Sequence, residues 1–275
     1  MSSTRVSNQS NHNWLILYKR SHLTVNTFLV DQGLQVSYSV PMRLPFHKND
    51  NFIGRDRELT EIHKTLHNAD ATPRRRVIVL HGLGGIGKTQ LAIQYAYIHQ
   101  KDYTSVWWVN ASTTQTLSQG FLGIAQQLVS YHTKNTMTGL RPGGARVAIA
   151  LGLPPDVVDQ NGELNASRDI TGIVVNAMIS WFAAENNNQW LLIFDNYDDL
   201  RNVKIYDFLH PSSLGSILIT SRSRDTCRIG KELEVENVTE NEALEILQKS
   251  AGRDMVSFQQ GMHLSHSGPG TLTQP

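Results

Sequence analysis

Eight residues, Gly82-Leu83-Gly84-Gly85-Ile86-Gly87-Lys88-Thr89, satisfy the pattern G-x-x-x-x-G-K-[ST]. Glycines let the main chain curl so that successive N–H groups converge on phosphate oxygens, and the helix that follows adds its positive end. In such a loop Lys88 reaches the β- and γ-phosphates of a nucleotide and the Thr89 hydroxyl ligates Mg²⁺, with Gln90 next in the helix. "VIVLH" ahead of the loop and "LAIQYAYI" behind it supply the strand–loop–helix setting that the motif requires. The loop alone reads phosphates and not the base.

Magnesium chemistry calls for a carboxylate at the end of a buried apolar strand close to the loop. "WLLIFD" ends in Asp195, which fits that role. The next residue is Asn196, and an amide cannot take a proton from an attacking water. Asp198 and Asp199 follow closely, either as substitutes or as solvated turn residues. Arg222, one serine past "ILIT", stands where a guanidinium at the mouth of a parallel sheet reads a γ-phosphate. Lys88, Asp195 and Arg222 are therefore the candidate catalytic residues, and Thr89 and Asp195 the candidate metal ligands.

The elements that must position these groups are legible as periodicities. Leu59, Ile62, His63 and Leu66 fall at helical spacing, and "RRRVIVLHG" begins a strand after Pro73. The Arg74 to Arg76 run reads as a solvated edge and is left out of the site. Leu91, Ala92, Tyr95 and Ile98 line one side of a helix. "VWWVNAS" is a second strand, and Leu117, Phe121, Ile124 and Leu128 mark the helix after it. Residues 139–169 break the rhythm with Gly and Pro and read as a loop or insertion. Ile170, Ile173, Val174, Ala177 and Trp181 restore helical spacing before "WLLIFD". "GSILITSR" and "ELEVENV" give further strands, and Thr239 with Glu242 stands in capping-box spacing before a last helix. Successive βα units predict an α/β fold, a five-stranded parallel sheet between helical layers.

Composition narrows the classes. Across 275 residues Lys+Arg number 25 and Asp+Glu 24, for a formal charge of +1, so no global basic field marks a nucleic-acid binder. A single cysteine, Cys227, excludes an intramolecular disulfide framework and suits a reducing, cytoplasmic setting. No apolar run approaches a membrane span. Residues 1–50 read as a poorly ordered leader, 51–250 as the nucleotide-binding domain and 251–275 as a disordered tail.

Taken in order, "FIGRDREL", "GLGGIGKT", "VWWVNAS", "LLIFDNYDD" and "ILITSR" resemble the NB-ARC class of signal-transduction ATPases with numerous domains, the STAND P-loop NTPases, in their fungal form. The resemblance covers roughly residues 51 to 250. It implies that Phe52, Ile53, Gly54 and Arg55 cradle the adenine end of ADP or ATP, that Gly82 to Thr89 bind the phosphates, that Asp195 serves Mg²⁺ and that Arg222 senses the γ-phosphate. It also implies a three-layer fold with the P-loop strand central. The helical and winged-helix subdomains and the repeat sensor of that class are not recognisable, so the chain reads as a nucleotide-binding core cut short.

Three functions follow. The first is an ADP/ATP switch module in programmed-death or non-self-recognition signalling, with slow hydrolysis at most, self-association or a signalling protein as partner, and neither nucleic acid nor membrane. The second is a P-loop ATPase or phosphotransferase with real turnover. The third is a non-catalytic interaction protein with a degraded nucleotide site.

Overall fold

The computed structural model describes residues 40–67, 75–134, 143–165, 170–184 and 187–251. Most of the expected leader and tail lies outside these residues. Eleven helices and strands position the site: α1 (Asp56–Leu66), β1 (Arg76–His81), α2 (Lys88–His99), β2 (Ser105–Asn110), α3 (Thr114–Lys134), α4 (Gly144–Ala150), α5 (Thr171–Phe182), β3 (Trp190–Asp195), β4 (Ser216–Ser221), β5 (Lys231–Glu234) and α6 (Glu240–Ala251). The strands form one sheet in the order β2-β3-β4-β1-β5, and every neighbouring pair is parallel.

Successive side chains along each strand separate to opposite faces and feed two cores. Val79, Trp107, Leu192, Phe194, Ile217 and Ile219 meet α3, α4 and α5 on one face. Ile78, Leu80, Val106, Leu191, Ile193 and Leu218 meet α1 and α2 on the other. The α/β three-layer fold with a five-stranded parallel sheet is thus the fold of this chain. Among the described residues no helix is long and apolar enough to cross a membrane.

Three expectations need correction. The P-loop strand is not central: β1 lies between β4 and β5, and β4 occupies the middle of the sheet. Residues 139–169 are not loop throughout, because "GARVAIA" forms α4 and buries Val147 and Ala148 against the core; burial of those side chains outweighs the Gly and Pro signals around them. Ile98 does not share the buried side of α2: it is exposed, whereas Leu91, Ala92, Tyr95 and Ala96 rest on the sheet.

The connections tie the layers to the site. Arg76 Nη1 donates to Leu66 O across 3.2 Å and Ser216 Oγ to the same carbonyl across 2.9 Å, so the C-terminus of α1 is held at the start of the sheet. This places the Arg75–Arg76 pair at the end of β1 opposite the phosphate loop. The extended stretch before α1 lies along the domain. Val40 N donates to Thr104 O, and the Phe46 ring meets Trp108 edge-on at 5.3 Å.

Candidate nucleotide site

All five strands point their carboxyl ends the same way, so the residues just past β1, β3 and β4 converge on one edge of the sheet. There a cleft of ≈ 420 Å³ is lined by Gly84, Gly85, Gly87, Lys88, Thr89, Gln90, Asn196, Asp198, Thr220, Ser221 and Arg222. The loop after β1 turns through positive φ at Gly85 (79°) and Gly87 (100°), a region that strains any side chain. A Cβ at either glycine would meet nothing within 4 Å, so the constraint there is conformational rather than steric.

Helix α2 opens directly from this loop with no side-chain cap on its first turn. Its leading N–H groups and positive dipole end thus face the cleft, the arrangement that accepts an anion. Lys88 is buried, and its Nζ donates to Gly82 O and Leu83 O, each at 2.8 Å. Burial pulls its ammonium below the ordinary lysine range; Asp198 opposes that shift and Arg222 adds to it. The lysine is held on the loop's own carbonyls, within the cradle a phosphate would enter.

Asp195 ends β3 beside the helix start. Its Oδ1 accepts the Thr89 hydroxyl at 2.9 Å and the Thr220 hydroxyl at 2.7 Å. Thr220 in turn accepts the Asn196 N–H at 2.9 Å. Because β4 is inserted between β1 and β3, Thr220 fills the gap between the loop strand and the carboxylate. Sequence reasoning missed Thr220; its only signal is a hydroxyl in the otherwise apolar run "ILIT". A hydroxyl on the helix and a carboxylate across from it are hard oxygen donors, the kind Mg²⁺ takes alongside nucleotide phosphates. Thr89 and Asp195 therefore fit that ion.

Asn196 sits at φ 65°, a left-handed conformation that asparagine tolerates better than most side chains. Asp198 and Arg222 close the mouth of the cleft. Arg222 donates its N–H to Asp198 Oδ1 at 2.6 Å and its Nε to Oδ2 at 2.5 Å. Burial pushes the Asp198 carboxyl up, but the hydrogen bonds and charge of Arg222 outweigh it and hold the group below the usual carboxylate range. Asp199 is engaged elsewhere: Asn202, first by its side chain and then by its N–H, holds that carboxylate low within a turn.

Phe52, Ile53, Gly54 and Arg55 do not line the cleft. Gly54 and Arg55 both take left-handed φ, 68° and 65°, and a Cβ at Gly54 would strike the Glu242 carboxylate of α6. The Arg55 guanidinium donates to Glu58 Oε1 at 2.7 Å, to Glu236 O at 2.8 Å and to Ile86 O at 3.3 Å. Arg55 thereby joins the segment before α1, the phosphate loop and the connection into α6. Phe52 and Ile86 pack together with the α1/α2 core.

A parallel sheet with a glycine-rich loop, lysine and hydroxyl opening α2, and a carboxylate two strands away, defines a P-loop NTPase domain. The AAA ATPase domain family matches residues 51–206, and the chain belongs to that family. It is also similar to a nucleotide-binding leucine-rich repeat (NLR)-like protein of Hyaloscypha variabilis, 26% identical over 238 residues, which cover 80% of this chain and 21% of that protein. The chain thus spans about a fifth of the length of that relative. The crystal structure of Cdc6p from Pyrobaculum aerophilum aligns over 76% of this chain and 52% of its own, with 12% identity and a TM-score of 0.45.

Proposed function

We propose that residues 51–250 form an ADP/ATP-binding switch module of the NB-ARC type, serving programmed-death or non-self-recognition signalling, in which nucleotide identity sets conformation. The observation that carries this reading is the convergence of Lys88, Thr89 and the uncapped start of α2 on one cleft, with Asp195 tied to it through the Thr89 hydroxyl. In the bound state the α2 N–H groups and Lys88 hold the phosphates, and Thr89 with Asp195 holds Mg²⁺, which would neutralise the phosphate charge. Phe52, Ile53, Gly54 and Arg55, joined to the phosphate loop by the Arg55 contact with Ile86 O, hold the adenine end beyond the phosphate cleft.

Hydrolysis is slow on this account. Asn196 cannot accept a proton, and Asp198 is already committed to Arg222 and held in its weakly basic form. A γ-phosphate competes with Asp198 for Arg222, so ATP and ADP differ at the contact that closes the cleft. A ligand shifts a conformational equilibrium only through such differential contacts. Hydrogen exchange on the ADP and ATP–Mg²⁺ complexes tests this. Different protection around Arg222 and the segment 235–243 is expected, with turnover below about 1 per minute against the 1–1000 per second common for enzymes. Identical exchange in both complexes, or rapid turnover, contradicts a switch.

A further inference from the structure

Helix α2 leaves the phosphate cradle at Lys88 and ends eleven residues later at His99, about 16 Å away at 1.5 Å per residue. At that far end the fold assembles a second group of side chains with no part in the nucleotide cleft. His63 lies in the last turn of α1, His99 closes α2, and Asp102 follows in the short 3₁₀ turn Gln100–Asp102. One nitrogen of each imidazole and one carboxylate oxygen of Asp102 all lie within 4.8 Å of one another.

We propose that His63, His99 and Asp102 form a binding site for a divalent cation of the zinc class. The two imidazoles stack with centroids 4.0 Å apart and planes 16° from parallel, so one ring turns about its side-chain bonds to bring both in-plane lone pairs onto a shared ion. Ligand nitrogens about 2.0–2.1 Å from a tetrahedral Zn²⁺ stand about 3.4 Å apart, so the donors need close by little more than an ångström. Nδ1 of His63 is shut off from solvent and has no hydrogen-bond partner, an arrangement that costs stability unless something else satisfies the nitrogen. His99 Nδ1 lies 2.8 Å from Asp102 Oδ2, so the carboxylate is already oriented on the cluster.

The surroundings favour a cation. Both α1 and α2 direct their C-terminal ends, the negative poles of their dipoles, at this cluster. Two imidazoles and a carboxylate suit Zn²⁺, with a fourth position left for water. The ion would staple the end of α1 to the end of α2.

The test uses the full chain without a polyhistidine tag, stripped with a chelator and titrated calorimetrically with Zn²⁺, with Co²⁺ as a spectroscopic probe. One Zn²⁺ per chain and a tetrahedral Co²⁺ spectrum are expected. His99→Ala and Asp102→Asn, the latter at an exposed position that should leave folding intact, each lower the affinity at least about tenfold. Cys227→Ser controls for a second cluster, His81 with Cys227 and Glu232, and leaves the affinity unchanged, as does Lys88→Ala in the nucleotide cleft. No saturable Zn²⁺ binding by folded protein overturns the proposal. So does binding that survives both His99→Ala and Asp102→Asn, or that disappears with Cys227→Ser.

Discussion

The Thr89 hydroxyl donates to Asp195 Oδ1 across 2.9 Å, joining the first turn of α2 to the end of β3 over 106 positions of sequence. Thr220 holds the same oxygen from the intervening strand at 2.7 Å. Together they place a hydroxyl and a carboxylate within reach of one small hard cation.

Thr89→Val keeps the shape of that side chain and removes its oxygen. The affinity gained from adding Mg²⁺ to a nucleotide titration is expected to fall about tenfold, the weight of one lost charge-assisted contact, while affinity without Mg²⁺ changes little. Unchanged Mg²⁺ dependence would show that Thr89 is not a ligand.

Asn196 occupies the position next to Asp195 with φ at 65°. Aspartate also tolerates that conformation, so Asn196→Asp tests chemistry with little backbone strain. A steady-state ATP hydrolysis rate raised about tenfold or more is expected, toward the 10²–10⁴ that a positioned base contributes. No increase means the slow step lies elsewhere.

Lys88 gives a pH signature. Burial lowers its ammonium from the ordinary 10.5, so the cost of keeping it charged in the fold is fully present below its folded pKa and disappears as pH rises toward 10.5. Bound phosphates act in the opposite sense and favour the charged form. ADP affinity is thus expected to weaken as pH climbs into the range just below 10.5, and Lys88→Arg, which stays charged, removes that alkaline loss. Equal pH profiles for the two proteins would contradict this role.

Gly215 precedes β4 directly against the Trp190 indole, and a Cβ there would overlap the ring. Trp190 is wholly buried and its Nε1 donates to Asn187 O at 2.9 Å, so it has no room to give way. Gly215→Ala is expected to cost about 1–3 kcal/mol in denaturant unfolding. A loss under about 0.5 kcal/mol, the range of ordinary surface changes, would show that the core relaxes.

What the sequence disclosed follows from which constraints are local. Lys88, Thr89 and the glycines were legible because a phosphate loop fixes residue types at consecutive positions, and Asp195 because a carboxylate ends a plainly apolar run. Thr220 was hidden, since its role exists only once β4 lies between β1 and β3, and strand order is not written in any single strand. The resemblance put the P-loop strand at the centre of the sheet, and no single strand carried the signal to correct it. Helix α4 was hidden because its buried side chains, Val147 and Ala148, matter only against α3 and the rest of the core. The three partners that the Arg55 guanidinium serves within the protein were equally hidden, because two of them are carbonyls of Ile86 and Glu236, far from it in sequence.

Calorimetric titration of the purified chain with ADP and with ATP, each with and without Mg²⁺, tests the central claim most directly when run beside Lys88→Ala. Saturable binding at about 10 μM or tighter, close to −7 kcal/mol, is expected for the native chain, with a loss of at least tenfold in a variant that remains folded by circular dichroism. Absence of binding by folded native protein, or equal binding by Lys88→Ala, would contradict a working nucleotide site.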